Sequence, residues 1–374
     1  MPHYKNGEKM KILQTVHSFP PERGGVEHHV YEISKRLAKN NEVTVFTTQV
    51  EGTKDAEVVE GINIRRFFSL GVPLFKTPKF TPTMFLNLLR EDADIYCSHH
   101  YGSLMPFITS LVALVKRKPF VFTLHGYPKL KGKRAFFQFL YKVFIASVFL
   151  RIADKVIVVS KNSIDDIGKE LDTSKISYIP NGINPDDFEG IAEQGDAITY
   201  IGKLNEDKGI ETLLSAYSRI KEKYPLNLMI VGQDDGSKEK LENLARKLKI
   251  EPTFLEVPYS NMKDVYRKSR VVILPSKYEG LSLVWLESIA SGKPMFSTPV
   301  GDAKHLFEQL YGNKSESFLF QNEDELIQKL RNFLASEADF QKTIKKAEYM
   351  CKEEYSWDNV SSLTKHAYEG VLGQ

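Results

Sequence analysis

Short apolar runs alternate with longer amphipathic stretches along most of the chain, beginning with a run at 11–16 and a helical stretch at 26–39. Six further runs follow before residue 180, at 42–47, 62–67, 95–98, 120–124, 156–159 and 176–179. Apolar runs of about four to eight residues are typical of strands buried on both faces of a parallel sheet. The pattern therefore predicts a first α/β domain that ends near Pro180.

A second series of the same kind follows. Its apolar runs and helical stretches lie at 197–201, 209–222, 226–231, 238–248, 253–255, 271–274, 295–298 and 317–320, with amphipathic helices at 323–335 and 340–354. The segment 185–196 between the two series is polar and acidic, which predicts a linker. Ser356 is a predicted N-cap for a last helix. We therefore expect an N-terminal domain at 1–184, a second domain at 197–355 and a C-terminal helix at 356–374.

Length and composition agree with two α/β domains. The chain has 374 residues, and this length is more than one hydrophobic core usually organises. Its residues are 42% hydrophobic and 26% charged, which is ordinary for a folded protein. A net charge of +3 without a zinc-finger or aromatic-basic pattern does not favour nucleic-acid binding. Because Cys97 and Cys351 are predicted in different domains, neither a disulfide nor a cysteine-bound metal is expected. No apolar run is long enough to span a membrane and no signal region is visible, so we expect a cytoplasmic protein.

The stretch 271–299 carries the most informative chemistry. A buried strand is predicted at 271–274, followed by a loop that contains Glu279 and then by a helix over 282–291. Glu279 thus follows the carboxyl end of a strand, where open α/β sheets bind ligands. Glu287 lies further along the helix.

The start of this helix adds an anion site. The backbone amides of Gly280, Leu281 and Ser282 open the helix, and free amides at a helix N-terminus attract phosphate oxygens. An anion-binding helix end flanked by Glu279 and Glu287 suits a nucleotide sugar, with the diphosphate on the amides and hydroxyls on the carboxylates. The sequence therefore predicts that these five residues bind such a donor.

Two other loops add candidate donor contacts. Lys203 and Lys208 lie in the loop that follows the run at 197–201, where two ammonium groups could neutralise a diphosphate leaving group. Gly24 and Gly25 follow the first strand and open the first helix, where flexible backbone can approach a ligand. Taken alone, the lysines would be interpreted as solvated side chains and the glycines equally well as a tight turn. The carboxylates downstream favour phosphate binding by the lysines.

These residues together resemble the signature of a known family. Pro275-Ser276, Glu279-Gly280, Glu287 and Gly292-Lys293-Pro294 are similar to the signature of the retaining GT-B glycosyltransferases of family four, the glycosyl transferases group 1, whose hallmark is two glutamates separated by seven residues. The resemblance implies an α/β fold of two Rossmann-like parallel-sheet lobes facing a cleft, with a C-terminal helix returning to the first lobe. It also implies that Glu279 contacts the transferred sugar and that Glu287 holds the ribose.

The resemblance assigns further roles. His125 ends the run at 120–124 and matches the family histidine that lies against the donor sugar, so His125, Lys208 and Glu279 form the predicted catalytic set. Lys203 stands where the family usually has arginine, which replaces a bidentate fork by a point charge. Val257 lies where the family contacts the nucleobase, but Glu256 replaces the usual glycine, so UDP and GDP both remain open.

No cofactor or metal is expected. The pairs His28-His29 and His99-His100 fit no standard zinc spacing, and we predict no metal ligand. In the predicted mechanism the two lysines and the helix N-terminus stabilise the departing diphosphate, which is the task that magnesium performs in other enzymes.

The stretch 129–151 allows two interpretations. It mixes basic residues with aromatic ones: Lys129, Lys131, Lys133, Arg134, Lys142 and Arg151 with Phe136, Phe137, Phe139, Tyr141, Phe144 and Phe149. Such a helix could lie on an anionic membrane surface and present a lipid-linked acceptor. The alternative, which the sequence somewhat favours, is a cationic helix packed on its own sheet.

The sequence thus favours a metal-independent, retaining hexosyltransferase. The predicted reaction moves a sugar from a UDP- or GDP-linked donor to a hydroxyl of a glycan or lipid-linked acceptor, at the membrane surface if the stretch 129–151 binds there. Two alternatives stay open: a GT-B-fold nucleotide-sugar epimerase, which would consume donor without an acceptor, and a non-catalytic nucleotide-sugar-binding subunit.

Overall fold

The computed structural model describes residues 9–22, 24–71, 79–81, 83–126, 133–168, 171–191 and 195–373. The chain forms two compact units, one from the residues up to Asn181 together with the segment from Trp357, the other from Gly182–Ser356. Each unit contains its own sheet. None of the described helices is long and apolar enough to cross a membrane.

The first unit is built on an eight-stranded sheet. Its eight strands are β1 (Lys11–Thr15), β2 (Glu42–Thr48), β3 (Ala56–Val59), β4 (Ile62–Phe67), β7 (Ile95–His99), β8 (Phe120–Leu124), β9 (Lys155–Val158) and β10 (Ile176–Tyr178). The strands β5 (Leu70–Gly71) and β6 (Lys79–Phe80) form a separate two-stranded ladder. The sheet order is β10-β9-β8-β7-β1-β2-β4-β3, and all neighbours are parallel except β3 and β4. The strand order therefore reverses between β1 and β7.

Helices pack on this sheet, and its central strands β1, β7 and β8 are buried except at Lys11. All five residues of β8 are buried, for example. The helices are α1 (Gly25–Leu37), α2 (Met84–Arg90), α3 (Met105–Lys116), α4 (Lys133–Tyr141), a π-helix (Lys142–Ala146) that continues into α5 (Ser147–Ile152), and α6 (Asn162–Ile167). A short 3₁₀ helix spans Thr173–Lys175.

The second unit has a five-stranded, fully parallel sheet. Its strands are β11 (Ala197–Ile201), β12 (Asn227–Val231), β13 (Thr253–Leu255), β14 (Ser269–Leu274) and β15 (Met295–Ser297), in the order β13-β12-β11-β14-β15. Its helices are α7 (Ile210–Ser218), α8 (Lys238–Lys247), α9 (Met262–Lys268), α10 (Leu283–Ala290), α11 (Ala303–Tyr311), α12 (Glu323–Ala335) and α13 (Ala338–Glu354). Four 3₁₀ helices complete it: Pro185–Phe188, Glu206–Lys208, Tyr259–Asn261 and Gly312–Ser317. This strand order reverses between β11 and β14.

The last helix, α14 (Trp357–Leu372), belongs to the first unit, as predicted. Trp357 and Tyr368 are fully buried and share a core with Val30 and Ile33 of α1. The Ser356 hydroxyl donates to the carbonyl of Glu353, 3.4 Å away.

The structure confirms the alternating pattern and corrects it in places. Strands predicted at 120–124, 197–201 and 253–255 have the predicted ends. The run at 317–320 is not a strand, because only one isolated bridge, from Leu319 to Ser297, forms there; its apolar residues are explained by burial alone.

Two other differences concern weakly patterned segments. The edge strand β3 was not predicted from its half-exposed sequence. The predicted linker contributes Phe188 and Ile191, which are 3% and 2% exposed, to the core of the second unit. Its polar composition concealed these two anchoring side chains.

Candidate active site

Most of the predicted donor residues of the second unit lie where its strand order reverses, whereas Val257 follows the edge strand β13. At such a point two neighbouring loops leave the sheet in opposite directions and open a crevice at the carboxyl ends of the strands. Here the loops are 202–209, after β11, and 275–282, after β14. The predicted residues Lys203, Lys208, Glu279 and Gly280 all lie on these two loops.

The two loops are in direct backbone contact. The amide of Lys277 donates to the carbonyl oxygen of Asp207 at 2.7 Å. Gly209 has φ +61°, and a β-carbon there would lie 2.2 Å from the carbonyl oxygen of Pro275. Only glycine allows this approach, because any other residue would bring its side chain into the Pro275 carbonyl.

This contact brings Lys208 to Glu279. The Lys208 Nζ lies 2.6 Å from Glu279 Oε1, and the Ser276 hydroxyl donates to the same oxygen at 2.8 Å. The two side chains are 23% and 11% exposed, so the pair is only partly screened by solvent. Among the described residues, both polar contacts of the carboxylate go to Oε1, and Oε2 is left to accept a further hydrogen bond.

The loop after Glu279 leads directly into α10. Ser282 is its N-cap, with φ −73° and ψ 128°, and its side chain makes no capping hydrogen bond. The Gly280 carbonyl accepts the amide of Asp302 at 3.1 Å, and Gly301 packs so closely that a β-carbon there would lie 2.4 Å from the Gly280 oxygen. Leu281 is a core residue, 6% exposed. The backbone that precedes the helix is thus held on both sides.

Glu287 is buried on α10, at 4% exposure. Tyr266 donates its hydroxyl to Oε2 at 2.7 Å, and Tyr259 donates to Oε1 at 3.0 Å. Burial raises the pKa of Glu287 to about 7, although both tyrosine hydrogen bonds oppose this shift. Tyr259 is 40% exposed and therefore separates the carboxylate from solvent.

Sequence reasoning missed these tyrosines. The available signal was position, since Tyr259 comes two residues after the predicted base contact Val257. Val257 itself packs against the hydrophobic core of the second unit. Lys203 is exposed at the end of β11, and its carbonyl accepts the Tyr200 hydroxyl at 2.8 Å.

In the first unit, Gly24 and Gly25 lie at the start of α1, with Gly24 in an extended conformation at φ −172° and ψ 169°. The carboxylate of Glu27 folds back onto this end, where a β-carbon on Gly24 would lie 2.1 Å from Glu27 Oε2. Ser18 also donates its hydroxyl to Glu27. The helix start thus holds an anionic group from its own chain, and a phosphate could bind there only by displacing it.

His125 lies in a buried cluster of histidines at the carboxyl ends of β7 and β8. His125 Nε2 is 3.1 Å from His99 Nδ1, and His99 Nε2 is 2.7 Å from Gln14 Oε1. His29 Nδ1 is 3.0 Å from Asn181 Oδ1, and the rings of His29 and His125 meet edge to face at 4.7 Å. Burial lowers the pKa of His29 to about 4, and it lowers the pKa values of His99 and His125 well below their ordinary value.

The cluster is larger than the sequence indicated. Ring contacts link four of the nine histidines, directly or through Trp357: His28, His29, His99 and His125. His17 and His100 form a separate stacked pair, with ring centroids 5.8 Å apart. Adjacent pairs in the sequence gave a signal, but only the strand order brings the pairs together.

Three of these rings could in principle hold a metal ion. The ligating nitrogens of His29, His99 and His125 all lie within 4.8 Å of one another. Both nitrogens of His99 already contact other side chains, so an ion could bind this ring only if one of those contacts broke. That the protein uses no metal stays a prediction.

Known proteins resemble this chain along almost its whole length. The family model described as Glycosyltransferase Family 4 matches residues 23–187, and the one described as Glycosyl transferases group 1 matches residues 185–350. An uncharacterized glycosyltransferase of Methanocaldococcus jannaschii is 26% identical over 96% of this chain and 98% of its own length. The phosphatidylinositol N-acetylglucosaminyltransferase gpi3 subunit of Schizosaccharomyces pombe is 21% identical over 95% of this chain and 80% of its own. The solved structure of Anabaena HepE in complex with UDP-glucose has a TM-score of 0.74 at 17% identity and covers 96% of this chain and 100% of the other.

Proposed function

Since this chain belongs to the group 1 glycosyltransferases of family four and has their GT-B fold, we propose that it moves a hexose from a nucleotide-diphosphate sugar to an acceptor hydroxyl with retention of configuration. The acceptor is a glycan or a lipid-linked molecule. In this reaction the bond between the sugar C1 and the diphosphate oxygen breaks, and the diphosphate takes the electron pair. The acceptor oxygen bonds to C1 on the same face and loses its proton.

The observation that carries the proposal is the Lys208–Glu279 pair at the point where the strand order reverses. The Lys208 ammonium is held 2.6 Å from Glu279, at the end of a loop fixed by backbone contacts. A positive charge held in place stabilises the negative charge that develops on the departing diphosphate, and it needs no reorganisation during the reaction. The N-terminus of α10 adds a partial positive charge from the helix dipole.

The remaining donor contacts are assigned as the resemblance implies. Glu279 Oε2 accepts a hydroxyl of the transferred sugar, and Glu287 accepts the ribose hydroxyls, as the resemblance implies. Lys203 supplies a second, exposed positive charge for the phosphates, next to the amides at Gly280, Leu281 and Ser282. His125 contacts the transferred sugar.

UDP is the preferred nucleotide of the proposal, because the Anabaena protein with the same fold binds UDP-glucose. Lysines and a helix end supply the positive charge, so the proposed transfer proceeds without a metal ion. Because no metal ion is needed in this proposal, nucleotide binding should be measured both with and without added magnesium.

A membrane surface is the proposed source of the acceptor. In the described part of the stretch 129–151, Phe136, Phe139 and Phe144 are between 58% and 67% exposed. Lys129 and Lys131 lie outside the described residues. Exposed phenylalanines beside basic residues suit the interface of an anionic bilayer.

A donor screen tests the proposed function. Calorimetry with UDP, GDP, ADP and their hexose conjugates should show binding of one nucleotide series that does not depend on magnesium. With that donor, product analysis should show transfer to an added hydroxyl acceptor. A product that forms without acceptor would instead identify an epimerase, and binding without turnover would identify a non-catalytic subunit.

A further inference from the structure

We propose that Gln14 and His99 are positioning residues that hold the His125 ring in one tautomer, with its hydrogen on Nε2 and a lone pair on Nδ1. The inference rests on the proposed function, in which His125 meets the transferred sugar. It goes further by fixing which kind of hydrogen bond the ring can make there.

The chain of hydrogen bonds begins at Gln14, a fully buried side chain of β1. Its Nε2 group donates to the Ser34 hydroxyl of α1 at 2.9 Å. The amide oxygen of Gln14 therefore faces His99, whose Nε2 lies 2.7 Å away. A carbonyl oxygen can only accept, so the hydrogen of the His99 ring lies on Nε2.

The same logic passes to the next ring. His99 is buried and its lowered pKa keeps it neutral, so its one hydrogen is already used and Nδ1 carries a lone pair. His125 Nε2 lies 3.1 Å from that lone pair and must therefore be the donor. Because His125 is neutral as well, its Nδ1 has no hydrogen. Among the described residues, no partner contacts this Nδ1.

His29 stabilises the arrangement from the side. The oxygen of Asn181 holds the hydrogen of His29 on Nδ1 at 3.0 Å. The His29 ring meets the His125 ring at 83°, which restricts the plane of His125. Trp357 packs edge-on against His29 in turn, with ring centroids 5.4 Å apart.

The tautomer decides what His125 can do. A ring nitrogen with a lone pair accepts a hydrogen bond from a sugar hydroxyl, but it cannot donate one to a phosphate oxygen. The assignment thus gives His125 to the sugar and leaves the diphosphate to the second unit's lysines. Because burial keeps all three rings neutral, this contact should not change with pH near neutrality.

Nitrogen NMR on histidine-labelled protein tests the inference without any substrate. Two-bond nitrogen–hydrogen correlations distinguish the two tautomers of each ring, and His125→Gln identifies the His125 signals by their loss. At neutral pH we expect an Nε2–H tautomer for both His125 and His99. An Nδ1–H tautomer or a charged ring at His125 would overturn the proposal.

A pair of variants tests the role of Gln14. Gln14→Leu removes the acceptor, so His125 should populate both tautomers, with a fall in kcat of about tenfold and an unchanged KM for the nucleotide sugar. Thr15→Val is the matched control. Thr15 is a buried residue of the same strand, but its hydrogen bonds go to Ser98 and Thr109, which are not part of the Gln14–His99–His125 series. It should leave the His125 tautomer unchanged. Equal tautomer spectra in the two variants would overturn the proposal.

The two proposals can fail separately. If no nucleotide binds but the wild-type spectrum shows the expected tautomers, the proposed function fails while the hydrogen-bond chain stands. If UDP-sugar transfer is observed and His125 carries its hydrogen on Nδ1, only the present inference fails.

Discussion

The α-carbon of Gly209 packs so closely against Pro275 that an added β-carbon would lie 2.2 Å from the Pro275 carbonyl oxygen. Gly209→Ala should therefore lower the free energy of unfolding by more than the roughly 1 kcal/mol that a positive φ costs an L-residue. It should also weaken nucleotide binding, because the loop that carries Lys208 must move. Urea unfolding and calorimetry measure the two effects.

Gly236→Ala is the matched control for this change. Gly236 also has a positive φ, +93°, but nothing lies within 4 Å of its added β-carbon. This variant should show the backbone cost alone and normal nucleotide affinity. If the two variants lost equal stability, the contact between the loops would not be a constraint.

Lys208 and Glu279 should be coupled in catalysis. Glu279→Ala removes the acceptor of the sugar hydroxyl, and loss of a charged hydrogen bond costs about 1.5–3 kcal/mol, on the order of ten- to a hundredfold in kcat/KM. Lys208→Ala should cost a similar factor. The double variant should lose less than the product of the two, because each single change leaves one partner of the pair behind.

Lys240→Ala provides the control for the loss of a lysine. Lys240 belongs to the same unit and forms ion pairs with Glu206 and Glu211, but its side chain is 58% exposed. The kcat/KM of the Lys240→Ala variant should stay at the wild-type level. Unchanged turnover in Glu279→Ala would remove the assignment of that carboxylate to the sugar.

Glu287 should make the stability of the protein depend on pH. Burial raises its pKa from 4.5 to about 7, so between these values the folded protein keeps a proton that the unfolded chain has released. The free energy of unfolding should therefore fall as the pH rises through this window, by about 3 kcal/mol, and then level off. Glu287→Gln should lack this decline, as measured by denaturant unfolding across the range.

The same titration should affect nucleotide affinity in the opposite direction. Ribose hydroxyls donate best to the ionised carboxylate, whose oxygens can each accept a second hydrogen bond beside those from Tyr259 and Tyr266. The affinity for UDP should rise by up to about tenfold between about pH 6 and pH 8. In Glu287→Gln it should be weaker and independent of pH over that interval. A wild-type affinity without this rise would contradict the ribose assignment.

The exposed phenylalanines should mediate binding to anionic membranes. The wild type should sediment with liposomes that contain phosphatidylserine and stay in solution with purely zwitterionic ones. Replacing Phe136, Phe139 and Phe144 together by serine should abolish sedimentation, since each phenylalanine contributes about 1.5–3 kcal/mol if fully buried. Tyr349→Ser is the control, an aromatic side chain that is 67% exposed on α13. No sedimentation of the wild type with either liposome would exclude a membrane role.

The sequence predicted those parts of the fold that depend on local composition. The apolar run of β11 could be recognised because all five of its residues are buried. The run at 317–320 gave the same signal but formed only a bridge, because burial is encoded locally and strand pairing is not. The edge strand β3 alternates between exposed and half-exposed residues and gave a weak signal.

The candidate site was predictable as a set of residues but not as a set of contacts. Glu279 and Lys208 could be named from their loops, yet their ion pair depends on β11 and β14 being neighbours. The hydrogen bond from Tyr266 to Glu287 joins two helices, α9 and α10, through the tertiary fold and has no local signature. His29, His99 and His125 are far apart in sequence, and only the tertiary fold joins them.

The helix α14 also has a consequence for how the protein is made. Trp357 and Tyr368 fill the core of the first unit, but the ribosome produces them only after the whole of Gly182–Ser356 has been synthesised. During translation the first unit therefore lacks the packing of α14 against α1 until the second unit has been synthesised. The contact of Trp357 with His29 can therefore form only after the second unit has been synthesised, and a chain that stalls before Trp357 lacks this side of the histidine cluster.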